Sequence, residues 1–285
     1  MNEKLRLIVL THGGSEIAIE RLAQLECAEI VGIFIETEIN RPRRLSEKIK
    51  RSIRYNGYWG TAVKLATKLL ELNGIRDKSS RAISESRDRL SQIASEHSIP
   101  IHFVRNYHTA DSIALMRAAR ADLGVVLGTN ILKETVFKIP RLGSINIHQG
   151  LAPYYRGCPA VFWELFNGER EVGLTIHFVE SKVDTGDIIL QRTVPLEYDY
   201  SYKLNYEAFI VDYRRKLLVP CANLIAESVQ RIAEGRVALR PQDTRLGTRY
   251  RLPIKKEKDQ MRRRLRERQR RSAAYPVAEK ASSAD

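Results

Sequence analysis
The chain has 285 residues, 43% of them hydrophobic, and 48 Lys and Arg against 34 Asp and Glu give it a net charge of +14. That length and hydrophobic share suit a single α/β domain with an appendage rather than two equal domains. No apolar run approaches the roughly 20 residues of a membrane span, the N-terminal L-R-L-I-V-L is too short for a signal peptide, and Cys27, Cys158 and Cys221 show no C-x-x-C spacing. A cytoplasmic chain without a disulfide framework or a zinc site is expected.

Leu5 to Thr11 reads as a buried parallel strand, followed by His12-Gly13-Gly14-Ser15 and a helical pattern through Ile17, Ile19, Leu22 and Leu25. Backbone amides after such a glycine turn hold phosphate or carboxylate in many α/β proteins, and a plain tight turn is the other reading. Ala28 to Glu36 is a second strand. The next segment is basic, with seven Lys or Arg and one Glu between Arg41 and Arg54, and helical with a thin apolar stripe of Leu45, Ile49 and Ile53. A solvated helix over the sheet and an anion-docking helix both fit it. Val63 to Leu72 and Ile83 to Ile93 continue as helices, and Pro100 to Val104 is a third strand. Asn106-Tyr107-His108 leads into a helix from Ser112 to Arg120, with Asn106 or Thr109 serving as turn or N-cap.

Leu123 to Gly128 is the fourth strand, and Gly143 leads into G-S-I-N-I-H-Q-G-L-A-P-Y-Y-R-G. Asn146 and His148 are two apart in an extended run, so both side chains project from one face of the sheet. Asp184, in S-K-V-D-T-G-D, follows the strand from Gly173 to Val179 and can return to the same pocket. A carboxylate beside an imidazole favours its charged form, which would make His148 an acid near neutral pH. An amide and an imidazole suit an oxyanion developing on a carbonyl carbon, as in acyl transfer. His177 either joins this pocket or is a structural histidine. Arg156 either binds an anion or braces the loop, and a nucleophilic Cys158 lacks the other features of a thiol enzyme.

The segments Asn146 to Gly157 and His177 to Gly186 resemble the signature of the folate-dependent formyltransferases, which include glycinamide ribonucleotide, methionyl-tRNA and sugar N-formyltransferases. Gly150 and Ala152 depart from the Ser and Leu common there. The resemblance implies a Rossmann-like open, mostly parallel sheet with its site at strand carboxyl ends. It implies 10-formyltetrahydrofolate as co-substrate, no metal, and Asn146, His148 and Asp184 as catalytic residues. Donor binding falls by the same resemblance to Gly128, Ile131, Leu132, Val183 and Asp187, and acceptor binding to Gly13, Gly14 and Arg156.

The expected organisation is a catalytic domain over 1–200 with a basic helical insertion at about 41–97, a helical extension over 201–240 with a break at Pro220, and a basic, partly disordered tail over 241–285. Between Arg249 and Arg271 there are twelve basic and three acidic residues, so this segment and Arg41 to Arg54 hold essentially all the net charge. An accessory anionic partner, RNA or a membrane surface, is expected for them, and a chain ending near Arg245 is expected to fold. A nucleotide-linked amino sugar is the first acceptor expected, followed by glycinamide ribonucleotide and initiator methionyl-tRNA. A non-catalytic RNA- or membrane-binding protein on the same fold is the rival from another class.

Overall fold
The computed structural model describes residues 3–38, 45–71, 88–157 and 159–274. Cys158 and the basic residues Arg41, Arg43 and Arg44 lie outside them, as do 72–87 and 275–285. Seven strands form one sheet in the order β3 (Ile101–Val104), β2 (Ala28–Glu36), β1 (Leu5–Thr11), β4 (Leu123–Leu127), β5 (Ser144–His148), β7 (Glu171–Phe178), β8 (Ile188–Pro195). The first five run parallel, and β7 and β8 are antiparallel to their neighbours. The Rossmann-like open sheet expected from the sequence is therefore the fold.

Alternation along β1 explains why both faces are covered. Leu7 and Val9 pack into one cluster with Ile19 and Leu22 of α1 (Glu16–Ala23) and Leu224, Ile225 and Val229 of α8 (Leu218–Ala233). Ile8 and Leu10 point the other way, to Met116 of α4 (Ala110–Ala118) and to Val136 and Phe137 of α5 (Glu134–Phe137). A strand buried on both sides needs apolar residues on both faces, which the run from Leu7 to Leu10 supplies. Thr109 caps α4, its side chain accepting from the Ser112 amide, as the sequence suggested.

The break in the helical extension falls between α7 (Tyr206–Lys216) and α8, not at Pro220. Pro220 is in the first turn of α8, where a missing N–H costs no helix hydrogen bond. In the basic insertion, α2 (Leu45–Glu71) is bent at Gly57, whose φ of 72° suits glycine. A short helix, α3 (88–96), precedes β3.

The C-terminal segment departs most from expectation. Thr248–Tyr250 forms β9, which pairs in parallel with β6 (Tyr155–Gly157) beside the main sheet. The following helix α9 (Lys255–Ala274) buries Met261 and Leu265 completely in the main core. Arg264 and Arg268 donate to the carbonyls of Phe166 and Leu165 at the end of α6 (Phe162–Asn167), filling the role of a C-cap. A basic tail in sequence is thus a helix as far as Ala274, held to the core through two apolar residues at helical spacing, Met261 and Leu265. No helix among the described residues is long and apolar enough to cross a membrane.

Candidate active site
The carboxyl ends of β1, β4 and β5 converge on one cleft, where ligands sit in open parallel sheets. The Gly13-Gly14 turn after β1 has φ values of 102° and 72°, accessible to glycine at little cost, and it lines the large cavity of about 940 Å³ together with Gly128, His148 and Asp184. A smaller cavity of about 150 Å³ adjoins it, lined by Ile131, Leu132, Asn146, His177, Val183 and Asp184. Asp184 and Val183 belong to both.

Asp184 is the hub. Its Oδ2 accepts from the Gly157 amide at 2.8 Å and lies 3.5 Å from His148 Nδ1, while its Oδ1 lies 3.5 Å from His177 Nε2. Asn146 pairs with His177 across β5 and β7, and its amide lies 3.3 Å from His177 Nε2. The structure thus brings Asn146, His148 and Asp184 together and adds His177 to them. The alternation of His177 with Thr175 is the sequence signal that points to it.

Carbonyl partners settle the tautomers, since a carbonyl only accepts. His148 Nε2 donates to the Tyr155 carbonyl at 2.6 Å, and His177 Nδ1 donates to its neighbour Phe178 at 2.7 Å. In the neutral rings this leaves His148 Nδ1 and His177 Nε2 as acceptors, the latter taking an Asn146 amide hydrogen. Burial lowers the His148 pKa, and the opposing pull of Asp184 and the Tyr155 carbonyl does not make up for it. His148 is therefore neutral near pH 7, contrary to the cationic imidazole expected from sequence; the desolvation that reverses the sign comes from packing by distant segments. Burial also works against an ionised Asp184, but it is outweighed by His177 Nε2 beside its Oδ1, His148 beside its Oδ2 and the hydrogen bond from the Gly157 amide, which together hold its carboxyl down at about 2.

The loop between β5 and α6 fits closely around this pair. A Cβ on Gly150 would stand 2.4 Å from His148 Nε2 and 2.5 Å from the Tyr155 carbonyl, so a serine there is incompatible with this hydrogen bond. Gly157 has φ 83° and backs onto the Tyr250 carbonyl of β9. Tyr155 and Trp163 both stack on the Tyr250 ring, and the Trp163 indole donates to Arg251. Residues some 90 positions downstream thus hold the loop that supplies partners to His148 and Asp184.

Other expected positions fall less centrally. Arg156 is buried, donating to the carbonyls of Pro153 and Thr244, an arrangement that braces the loop. Asp187 lines neither cavity, and its carbonyl accepts from Phe178. His12 binds Glu36 at 2.7 Å beside Tyr107. Burial pushes the Cys221 thiol up to about 11, which removes it as a nucleophile near neutral pH. No group of three or more His, Cys, Asp or Glu among the described residues is placed to hold a metal.

Glu164 of α6 had no sequence signal. It is 2% exposed and neither carboxyl oxygen has a hydrogen-bond partner. Burial pushes its pKa up to about 7 against the lowering effect of the Glu164 and Val161 amides. Folding therefore favours the protonated acid, so its contribution to stability is fully present below the unfolded value of 4.5 and is lost as pH rises through about 7. Glu164→Gln should remove that loss and gain about 3 kcal/mol on the wild type at pH 8 relative to pH 4.5. Urea unfolding at the two pH values measures it; an equal difference at both would mean the folded-state acid titrates normally.

The sequence profile described as formyl transferase matches residues 62–217. Methionyl-tRNA formyltransferase of Bacteroides fragilis is 31% identical over 154 residues, 54% of this chain and 45% of that protein. The chain thus spans about half the length of the curated relatives it matches. Among solved structures, glycinamide ribonucleotide transformylase 1 of Symbiobacterium toebii superposes with a TM-score of 0.55 at 19% identity, covering 84% of this chain and 95% of that one. A 4-N formyltransferase of Francisella tularensis gives 0.52 at 14% identity, covering 86% and 76%. At these identities the structural likeness is one of fold.

Proposed function
The chain belongs to the formyl transferase family, and from that premise we propose that it transfers a formyl group from 10-formyltetrahydrofolate to an amine. The observation that carries the reading is Asp184 held ionised between two histidines, at the junction of two cavities.

We assign the flat heterocycle of the donor to the smaller cavity, where Ile131, Leu132 and Val183 offer apolar contact, and Gly128 lines the adjoining large cavity. When bound, the donor supplies a formyl carbon attached to nitrogen. Asn146 has two amide hydrogens, of which His177 takes one, and the second stabilises negative charge developing on the formyl oxygen. An attacking amine must shed a proton. His148 Nδ1 and Asp184 Oδ2 are two facing acceptors that receive it, and the same pair can return a proton to the departing nitrogen. Gly157 and Tyr155 fix the orientation of both groups through backbone bonds.

A nucleotide-linked amino sugar is the acceptor class we favour, ahead of glycinamide ribonucleotide and initiator methionyl-tRNA. Gly13, Gly14, Arg214 and Arg249 on the large cavity support an acceptor that carries phosphate. The exposed side chains of Lys256, Arg263, Arg266 and Arg270 on α9 support an additional contact with a polyanion, RNA or an anionic membrane surface, outside the chemistry. The deciding experiment is spectroscopic detection of tetrahydrofolate release against a panel of nucleotide-linked amino sugars, glycinamide ribonucleotide and charged initiator transfer RNA. Release with none of them would refute the acceptor assignment.

A further inference from the structure
Glu36, the last residue of β2, is 3% exposed and lines neither cavity, yet its carboxylate meets three donors at the carboxyl edge of the sheet. Oε1 accepts from the Tyr107 amide at 3.2 Å. Oε2 lies 2.7 Å from His12 Nε2 and also accepts from the Asn130 side-chain amide, at a longer 3.4 Å. Stability does not explain such a group, because a buried carboxylate is costly to desolvate and an apolar residue of similar volume often serves a fold as well.

The three partners come from different parts of the fold. Tyr107, fully buried between β3 and α4, belongs to the frame: its hydroxyl lies 2.8 Å from the carbonyls of both Thr11 and Phe34, at the ends of β1 and β2. The other two belong to loops that wall the cleft. His12 begins the turn of Gly13 and Gly14 on the large cavity, the turn that supports a phosphate-bearing acceptor. Asn130 is in the loop between β4 and α5, among the residues that line the smaller cavity assigned to the donor heterocycle. A single carboxylate oxygen therefore holds both the acceptor turn and the donor loop, so a ligand that draws one of them inward alters the bond that holds the other.

We propose that Glu36 is a positioning residue that couples the donor loop to the acceptor turn. Donor bound in the smaller cavity fixes Asn130, and through Glu36 and His12 it sets the Gly13 and Gly14 amides for the acceptor. The identity of the two ligands rests on the formyl transfer reading. Gln is the telling replacement for Glu36. It keeps the volume but has one oxygen, so whichever way its amide lies, an N–H faces either the Tyr107 amide or the His12 and Asn130 donors. At His12 the contrast is between Ala, which removes the link to Glu36, and Gln, whose amide nitrogen can stand in for Nε2. His12 is a partly exposed turn residue, so both changes spare the core.

The test measures backbone hydrogen exchange in the full chain with and without 5-formyltetrahydrofolate, an isomer of the donor with its formyl group on N5. In the wild type, exchange should slow in 128–132 and, by about fivefold or more, in 12–16. Glu36→Gln and His12→Ala should keep the slowing in 128–132 and lose it in 12–16, and His12→Gln should keep both. If Glu36→Gln does not fold, the two His12 variants decide. Slowing confined to 128–132 in the wild type would overturn the coupling. So would slowing in 12–16 that survives His12→Ala, since the ligand would then touch the turn directly, and so would a His12→Gln variant that behaves like His12→Ala. Those outcomes leave formyl transfer standing, whereas a folded wild-type chain that binds no 5-formyltetrahydrofolate would refute formyl transfer and the role of Glu36 with it.

Discussion

Asp184→Asn and His148→Ala should each lower formyl transfer by about 100-fold or more while leaving donor binding largely intact, because both groups act on charge that exists only during reaction. Asn is the informative replacement at 184. The residue has φ 54°, a left-handed conformation that Asn tolerates and Ala does not, so the variant changes the charge and spares the backbone. An amide there can still accept from the Gly157 amide, but it cannot take a proton from an amine. Asn146→Ala should behave like the other two, through loss of its amide hydrogens. Cys158→Ser, at a position outside the described residues, should leave turnover unchanged. Tetrahydrofolate release, with donor binding measured in parallel, checks all four. More than about a tenth of the wild-type rate in Asp184→Asn or His148→Ala, where groups of this kind usually cost 100-fold, would remove these residues from the chemistry.

Ending the chain after Arg245 should be nearly as damaging, by a different route. The cut removes Met261 and Leu265, both fully buried, and at about 1.5–3 kcal/mol for each such side chain the loss reaches a large share of a typical domain's stability. It also removes β9, leaving Trp163 without its carbonyl partner and Tyr155 without the Tyr250 ring. Because the Tyr155 carbonyl orients His148 and the Gly157 amide orients Asp184, turnover should fall even in the fraction that stays folded. The structure thus reverses the sequence-based expectation that a shortened chain folds and turns over a small acceptor. Thermal unfolding and tetrahydrofolate release compared in the two chains decide the matter. A truncated chain that melts within about 3 °C of the full one would show that α9 adds little to the core.

By itself the sequence determined where the parallel strands lie along the chain, because strands buried on both faces require apolar runs such as Leu7 to Leu10 and Leu123 to Leu127. It also determined that Asn146 and His148 share one face of β5, since a period of two is a local property of extended backbone. The meeting of Asp184 with both required only that a loop after β7 turn back, which the short segment to β8 enforces. The tertiary structure alone decided what depends on contacts between distant residues. His177 joins the cluster because β7 runs antiparallel to β5 and places it opposite Asn146, a register that no single segment encodes. The sign of the His148 shift follows from how much of the surrounding chain excludes water, and the Asp184 charge, the part legible in sequence, is the weaker effect. The basic stretch after Arg249 reads as a solvated tail by composition. It becomes a support of the site because Met261 and Leu265 join the main core and because Arg251 and Tyr250 meet a tryptophan nearly 90 residues earlier, pairings that exist only once the chain has folded.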